Sequence, residues 1–424
     1  MPASGEPGYI ALLKGNQSFR RLWLGNVISL FGDWFNTIAL YSLILRLTGS
    51  EFALGAVFIS KMLPWAIASP IAGLLVDRFD RRRVMIVTDL MRAVVVLGFL
   101  LIDEADEVYL VYVFTTLQVV IGSAFHPAQS ASIPNLTSRS ELVTANTLMA
   151  VTWSVLLTFG AAVGGLAADL LGLKTVFVID SASYIVSAFF IFRTVIPQHT
   201  DKPTSGHVLR TALREVIDGW QHVRRFPRIG RIALAKASWA VAGGALVYML
   251  ALLGEQLVPG REAAAIGILF AARGFGTGIG PIIARALVKN ENQWPAFLGG
   301  CIVFSGLCYC LVGVMPWSYL IAVPIVIAHA AGGANWVFST VMLQKRTQDR
   351  FRGRVFATEW LLIMSADAIS ILAASLVLES SFLNLRQAIV VFSGIQVLTG
   401  LLWLFLVVPR ERADEIQISH PDSS

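Results

Sequence analysis

Apolar runs of about 20 residues recur along the whole of this 424-residue chain, and each is long enough to cross ~30 Å of hydrocarbon. About twelve can be placed by length and apolarity. They span 22–45, 53–76, 84–102, 108–132, 144–168, 173–195, 229–253, 263–287, 294–313, 317–342, 355–378 and 385–408. A bilayer core offers no water to peptide groups, so each run must bond its own backbone and is therefore a helix. Only 14% of the residues are charged and 56% are apolar, where a soluble domain has about a quarter charged. Too little polar chain remains for a separate soluble domain. The expected fold is all-α, with twelve transmembrane helices.

Charge placement gives the orientation. Arg20, Arg21, Arg78, Arg81, Arg82, Arg83, the segment 210–228 and the segment 345–354 fall on one side of the alternating spans. The opposite loops hold only Arg46, Lys174, Arg261 and Arg386, and one of them reads Asp103-Glu104-Ala105-Asp106-Glu107. The positive-inside rule then puts both termini in the cytoplasm and the chain in the cell's inner membrane. The net charge of +6 is thus a topology signal, and no nucleic-acid partner is expected. The start lacks an early apolar core with a cleavage site, so the first span is the expected targeting signal.

A polar break divides the chain. Residues 1–196 form a first six-helix bundle, 197–228 a cytoplasmic linker, 229–409 a second six-helix bundle and 410–424 a polar C-terminal tail. Within the linker Leu209, Leu213, Val216, Ile217, Trp220 and Val223 recur at helical spacing among arginines, which reads as an amphipathic helix on the membrane surface. The halves look related. One constant offset places Gly55-Ala56-Val57-Phe58 on Gly267-Ile268-Leu269-Phe270, Lys61 on Arg273 and Ala145-Asn146-Thr147 on Ala357-Thr358-Glu359. Repeated helical halves of this kind are typical of secondary transporters, with substrate bound between them.

The loop after the second run reads Gly73-Leu74-Leu75-Val76-Asp77-Arg78-Phe79-Asp80-Arg81-Arg82-Arg83. Together with Phe19-Arg20-Arg21-Leu22-Trp23, Gly32-Asp33-Trp34 and Pro127-Ala128 through Pro134-Asn135-Leu136, it resembles the major facilitator superfamily. Within that superfamily the chain is similar to the drug and metabolite exporters that include macrolide efflux proteins and the enterobactin exporter. The superfamily carries Gly-x-x-x-Asp-Arg-x-Gly-Arg-Arg in this loop; Gly73, Asp77, Arg78, Arg81 and Arg82 match, and Asp80 replaces the second glycine. The resemblance implies two pseudo-symmetric six-helix bundles and a gate in which Asp77 meets the start of span eleven near Arg354 and Thr358. Asp80 is expected to pair with Arg82 or Arg83. Two departures stand out: Gln118 occupies the place of a helix-four arginine common in proton antiporters, and Ala161 replaces a signature proline within Gly160-Ala161-Ala162-Val163-Gly164-Gly165. Gly160 and Gly164 are expected to pack span five closely on span eight, against Gly274, Gly276, Gly278 and Gly280, with Gly165 a further helix-packing glycine.

Charges inside the spans mark function, because one at a helix centre costs about 2.5–3.5 kcal/mol on insertion scales. Asp33, Lys61, Asp89, Arg92, Lys236, Arg273, Glu359 and Asp367 are such residues. Asp33 is the leading proton-coupling candidate, with Asp367 and Glu359 beside it; the alternative is a static pair of Asp33 with Lys61 or Arg273. Asp89 and Arg92, three apart, are expected to pair locally. Lys61 and Arg273, at matching places, suit an anionic substrate or simply neutralise Asp33 and Asp367. Asn36, Gln118, Trp153, Trp239, His329, Asn335 and Trp336 are further cavity candidates.

Other chemistries lack their signatures. There is no phosphate-binding Gly-x-x-x-x-Gly-Lys loop and no His-Glu-x-x-His, so neither a primary pump nor an enzyme is expected, and no cofactor or metal. Cys301, Cys308 and Cys310 share one apolar span and read as packing residues. The expectation is a monomeric, proton-driven exporter of a small amphiphilic molecule such as a drug, macrolide or siderophore-like metabolite. A lysophospholipid flippase of the same fold and a non-transporting membrane sensor or scaffold are the alternatives.

Overall fold

The computed structural model describes residues 8–197 and 208–419; within these, the side chains of Pro70, Gly73, Leu74, Asp77, 208–216, 349–350 and 415–419 lie outside the description. The described chain is helical throughout and contains no β-strand. Twelve helices are long and apolar enough to cross a membrane. They are α1 (Gln17–Thr48), α2 (Glu51–Arg78), α3 (Arg81–Leu97), α4 (Val108–Gly122, resuming as Phe125–Leu136), α5 (Leu142–Leu171) and α6 (Leu173–Phe192). The second set is α7 (Pro227–Leu257), α8 (Glu262–Leu287), α9 (Trp294–Val314), α10 (Ala322–Arg346), α11 (Asp349–Glu379) and α12 (Leu385–Leu402). Several outrun their apolar stretches because polar residues cap them. Asn16 accepts a hydrogen bond from the Phe19 N–H at 3.0 Å to start α1, and Ser50 does the same for Ala53 at 3.0 Å at α2.

The chain forms two compact units. One comprises Met1–Ala212 with Val258–Ala271, the other Leu213–Leu257 with Ala272–Ser424. In the first unit α1 packs on α5 and α6, α3 on α6, and α2 on α4. In the second, α7 packs on α11 and α12, and α9 on α12. Gly276 and Gly280 of α8 lie against Val326 and Ala330 of α10. Each of these pairings returns six helices later, so the second set repeats the packing plan of the first.

The segment Val258–Ala271 joins the first unit for a local reason. Gly165 of α5 faces the Ala263 backbone so closely that a Cβ there would overlap it. Four residues on, Asp169 accepts a hydrogen bond from the Ala264 N–H at 2.8 Å, satisfying a donor at the α8 N-terminus that has no partner within the helix. Arg46 holds that carboxylate at 3.3 Å.

The basic end of the first unit is stapled by its arginines. Arg81 donates to the Ala131 carbonyl at 2.7 Å. Arg82 donates to the Phe192 carbonyl and lies over that ring at 5.1 Å, and Arg21 reaches the Arg193 carbonyl at 2.5 Å. The last carbonyls of α6 are satisfied this way, by cations where a helix C-terminus favours them. Asp80 does not pair with the side chain of Arg82 or Arg83, as its charge suggested. It caps α3, accepting from the Arg83 backbone N–H at 2.8 Å. The side chains of Gly73 and Asp77 lie outside the described residues. Arg354, expected as a partner of Asp77, forms an ion pair with Asp218 of the linker helix (Val208–Arg225) at 3.4 Å.

The C-terminal segment is more ordered than its charge implied. After a wide turn at Trp403–Val407, a helix runs over Val408–Ser419. The buried Glu411 sits between Arg231 at 2.5 Å and Arg346 at 2.6 Å, which fastens this helix to the start of α7 and the end of α10.

Candidate functional site

The interior of the first unit holds a polar cluster drawn from five helices. Asp33 of α1 accepts a hydrogen bond from the Tyr184 hydroxyl of α6 and faces the Arg92 guanidinium of α3 at 3.9 Å. Arg92 also pairs with Asp89 one turn earlier and lies over the Tyr184 ring at 4.2 Å. Gln118 of α4 donates to the same Tyr184 hydroxyl at 2.9 Å. One turn along α1, Asn36 donates to Asp180 of α6 at 2.6 Å. Lys61 of α2 donates to the Thr37 hydroxyl at 2.7 Å and lies 5.5 Å from the Tyr41 ring centre.

The geometry corrects the static-pair expectation for Asp33. The cation within ion-pair distance of Asp33 is Arg92 of α3, while Lys61 of α2 bonds Thr37 one turn along α1 and acts on Asp33 only electrostatically. The Asp33 side chain is 35% exposed, whereas Asp89 and Asp180 are fully buried. Of the cluster's three acids, Asp33 is therefore the one open to exchange with its surroundings.

The second unit places its charges differently. Lys236 of α7 pairs with Glu359 of α11 at 2.9 Å, donates to Thr340 at 2.8 Å, and sits 4.6 Å from the Trp336 ring centre. Trp336 and Trp360 meet edge to face at 5.5 Å, both partly exposed. Asp367 lies deeper along α11 against Gly244, within the electrostatic reach of Arg273. His329 shares a hydrogen bond with Tyr309 at 2.7 Å and packs edge to face on Trp239.

Other candidates fall outside these clusters. Asn335 is buried and donates to the Leu298 carbonyl at 3.2 Å, an interhelical bond rather than a free cavity group. Trp153 is exposed on α5. Gly160 and Gly164 face Trp34 and Phe35 of α1, not α8, and Gly276 and Gly280 face α10; the contact of α5 with α8 is made at Gly165 instead, against Ala263 and Ala264. Cys301 and Cys308 are buried and free.

Asp180 and Tyr184 are absent from the residues that sequence reasoning singles out. Asp180 carried the same signal as Asp33, an acid in the middle of an apolar run. Tyr184, one turn further along α6, has its own hydroxyl as a signal, since a fully buried Tyr hydroxyl needs a partner.

The chain resembles known transporters in sequence and in fold. It is 27% identical over 399 residues to the putative bacilysin exporter BacE of Bacillus subtilis, covering 92% of this chain and 94% of that protein. It is 23% identical to macrolide efflux protein A of Streptococcus pyogenes, covering 84% of this chain and 88% of that one. Among solved structures, a peptide transporter of the POT family in complex with alafosfalin superposes with a TM-score of 0.77 at 13% identity, over 93% of this chain and 95% of that one. At that identity only the fold is shared. Residues 22–357 match the Major Facilitator Superfamily, and the chain belongs to that family of membrane transporters.

Proposed function

We propose that the protein is a secondary exporter that moves a small amphiphilic molecule out of the cell in exchange for protons, by alternating access. The observation that carries this reading is the cluster of Asp33, Asp89, Asp180, Lys61 and Arg92 inside the first unit. A folded scaffold gains nothing from placing five ionisable groups at a depth where each costs about 2.5–3.5 kcal/mol. A machine that takes up and releases charge needs them. The names of the bacilysin and macrolide relatives favour outward transport of an antibiotic-like molecule. The pattern of arginines favours an inner-membrane protein with both termini in the cytoplasm. Trp336 and Trp360, partly exposed beside Lys236, suit the apolar and polar parts of such a substrate.

The test is a proteoliposome assay with an imposed pH gradient, using a labelled macrolide and bacilysin as probes and an internal pH dye. The expected result is probe movement that depends on the gradient and dissipates it. Asp33→Asn should uncouple the two, because it leaves Asp89 and Asp180 balanced by Lys61 and Arg92 with no proton required. Probe movement indifferent to the gradient refutes proton coupling. Movement of a fluorescent lysophospholipid, with neither antibiotic carried, refutes the exporter reading in favour of a flippase.

A further inference from the structure

Asp180 differs from the other acids of the cluster. It is fully buried, and its carboxylate accepts from Asn36 Nδ2 at 2.6 Å on Oδ2 and from the Ser183 hydroxyl at 3.4 Å on Oδ1. Among the described residues it forms no ion pair, whereas Asp89 and Asp33 both face Arg92. Gly32 makes room for it: a Cβ on that residue would stand 2.5 Å from Asp180 Oδ1. The charged groups that bear on it are Asp33 from α1, Lys61 from α2 and Arg92 from α3, with Asp89 beside Arg92 and Tyr184 on its own helix.

Three carboxylates and two cations make a cluster of net charge −1 when all are ionised. One proton neutralises it. Asp33 and Asp89 share the Arg92 guanidinium, Lys61 is bonded to Thr37, and Asp33 is also partly exposed. Asp180 is fully buried with no cation within ion-pair distance, so its charge carries the largest desolvation cost of the three. We infer that Asp180 is the proton-carrying acid of the first unit, held neutral in this state, with Asn36 as the hydrogen-bond partner that serves both of its forms.

The amide suits that role. Its nitrogen donates to an ionised carboxylate, and after a half-turn its oxygen accepts the O–H of a protonated one. Asn36 Oδ1 has no hydrogen-bond partner among the described residues, so that acceptor is available. When the proton leaves, the cluster regains its negative charge and is stabilised only if Lys61 or Arg92 draws nearer. That requires α2 or α3 to shift against α6, which links proton release to helix movement. The position of the proton stands on charge and geometry; its use in transport rests on the exporter reading above.

Infrared spectroscopy of the full chain in maltoside detergent, which has no ester carbonyl, tests the inference. A protonated carboxyl absorbs above the amide bands and shifts in heavy water. At neutral pH the wild type is expected to show such a component that Asp180→Asn abolishes and that Asp33→Glu, which keeps the charge, retains. Asn36→Leu should move the same component to higher frequency, and this variant carries the test if Asp180→Asn does not fold. In the proteoliposome assay Asp180→Asn should move probe without protons. A wild-type spectrum without the component, its survival in Asp180→Asn, its indifference to Asn36→Leu, or intact proton release in Asp180→Asn overturns the inference. The spectrum needs no transport, so a protein that shows the component yet moves no protons refutes the proton-coupled reading and not the position of the proton.

Discussion

Glu359→Gln is a sharp test of whether the second unit's buried pair couples protons or only holds helices together. The Lys236 and Glu359 side chains are 4% and 1% exposed, and their charges stand 2.9 Å apart. Replacing the carboxylate by an amide leaves the ammonium buried without its counter-charge, beside the Thr340 hydroxyl and the Trp336 and Phe356 rings. Breaking a buried pair from one side costs about 3–5 kcal/mol, whereas replacing both members by apolar residues of similar volume is often neutral or stabilising. For a unit of roughly 200 residues each kcal/mol moves a thermal midpoint by about 2–4 °C, so the single variant should lose on the order of 10 °C. Lys236→Met/Glu359→Leu should recover most of that loss. The assay is thermal unfolding in detergent at one heating rate, followed by tryptophan fluorescence and run as a double-mutant cycle. Proton flux is then measured in liposomes for the double variant. A structural staple predicts near-normal flux in that variant. If the double variant unfolds as readily as Glu359→Gln, the pair is not the source of the loss. If it is stable but moves substrate without protons, Glu359 is a coupling acid after all.

The remaining predictions concern contacts that the sequence either misassigned or left open. Asp80→Ala should destabilise the start of α3 by about 1 kcal/mol and Asp80→Gly by only a few tenths, since Gly is tolerated at a helix N-cap; equal losses by thermal unfolding would refute the capping role. Glu411→Gln leaves Arg231 and Arg346 without their shared charge and should cost about 3 kcal/mol. Limited proteolysis after Val408 should then proceed many-fold faster, and an unchanged rate would show that the C-terminal helix is held by something else. Gly165→Val should push the first turn of α8 off α5, because its side chain would occupy the place of the Ala263 carbonyl. Thiol labelling of an Ala264→Cys reporter should rise several-fold in that background, and no rise would mean the helices yield without separating.

The twelve helices are legible because spanning a bilayer is a one-dimensional requirement: an apolar run of sufficient length must be a helix whatever surrounds it. Pairing is not one-dimensional. Asp89 and Arg92 meet as expected because their contact is local, one turn apart on α3. Asp33 meets Arg92 and Tyr184, not Lys61, because the outcome depends on how α2, α3 and α6 are rotated about their axes, and apolarity on all sides of a membrane helix leaves no stripe from which to read that rotation. The same limit misdirects Gly160 and Gly164. Their small size correctly marks a close helix contact, but nothing in the chain says that the contact is α1. Asp180 exposes a different weakness. Its signal, an acid inside an apolar run, is the same as that of Asp33, and only the packing of the helices shows that no cation lies within ion-pair distance of it. In a membrane helix, then, the unmatched carboxylate carries more functional information than the matched one, since the matched one already has an explanation in the fold.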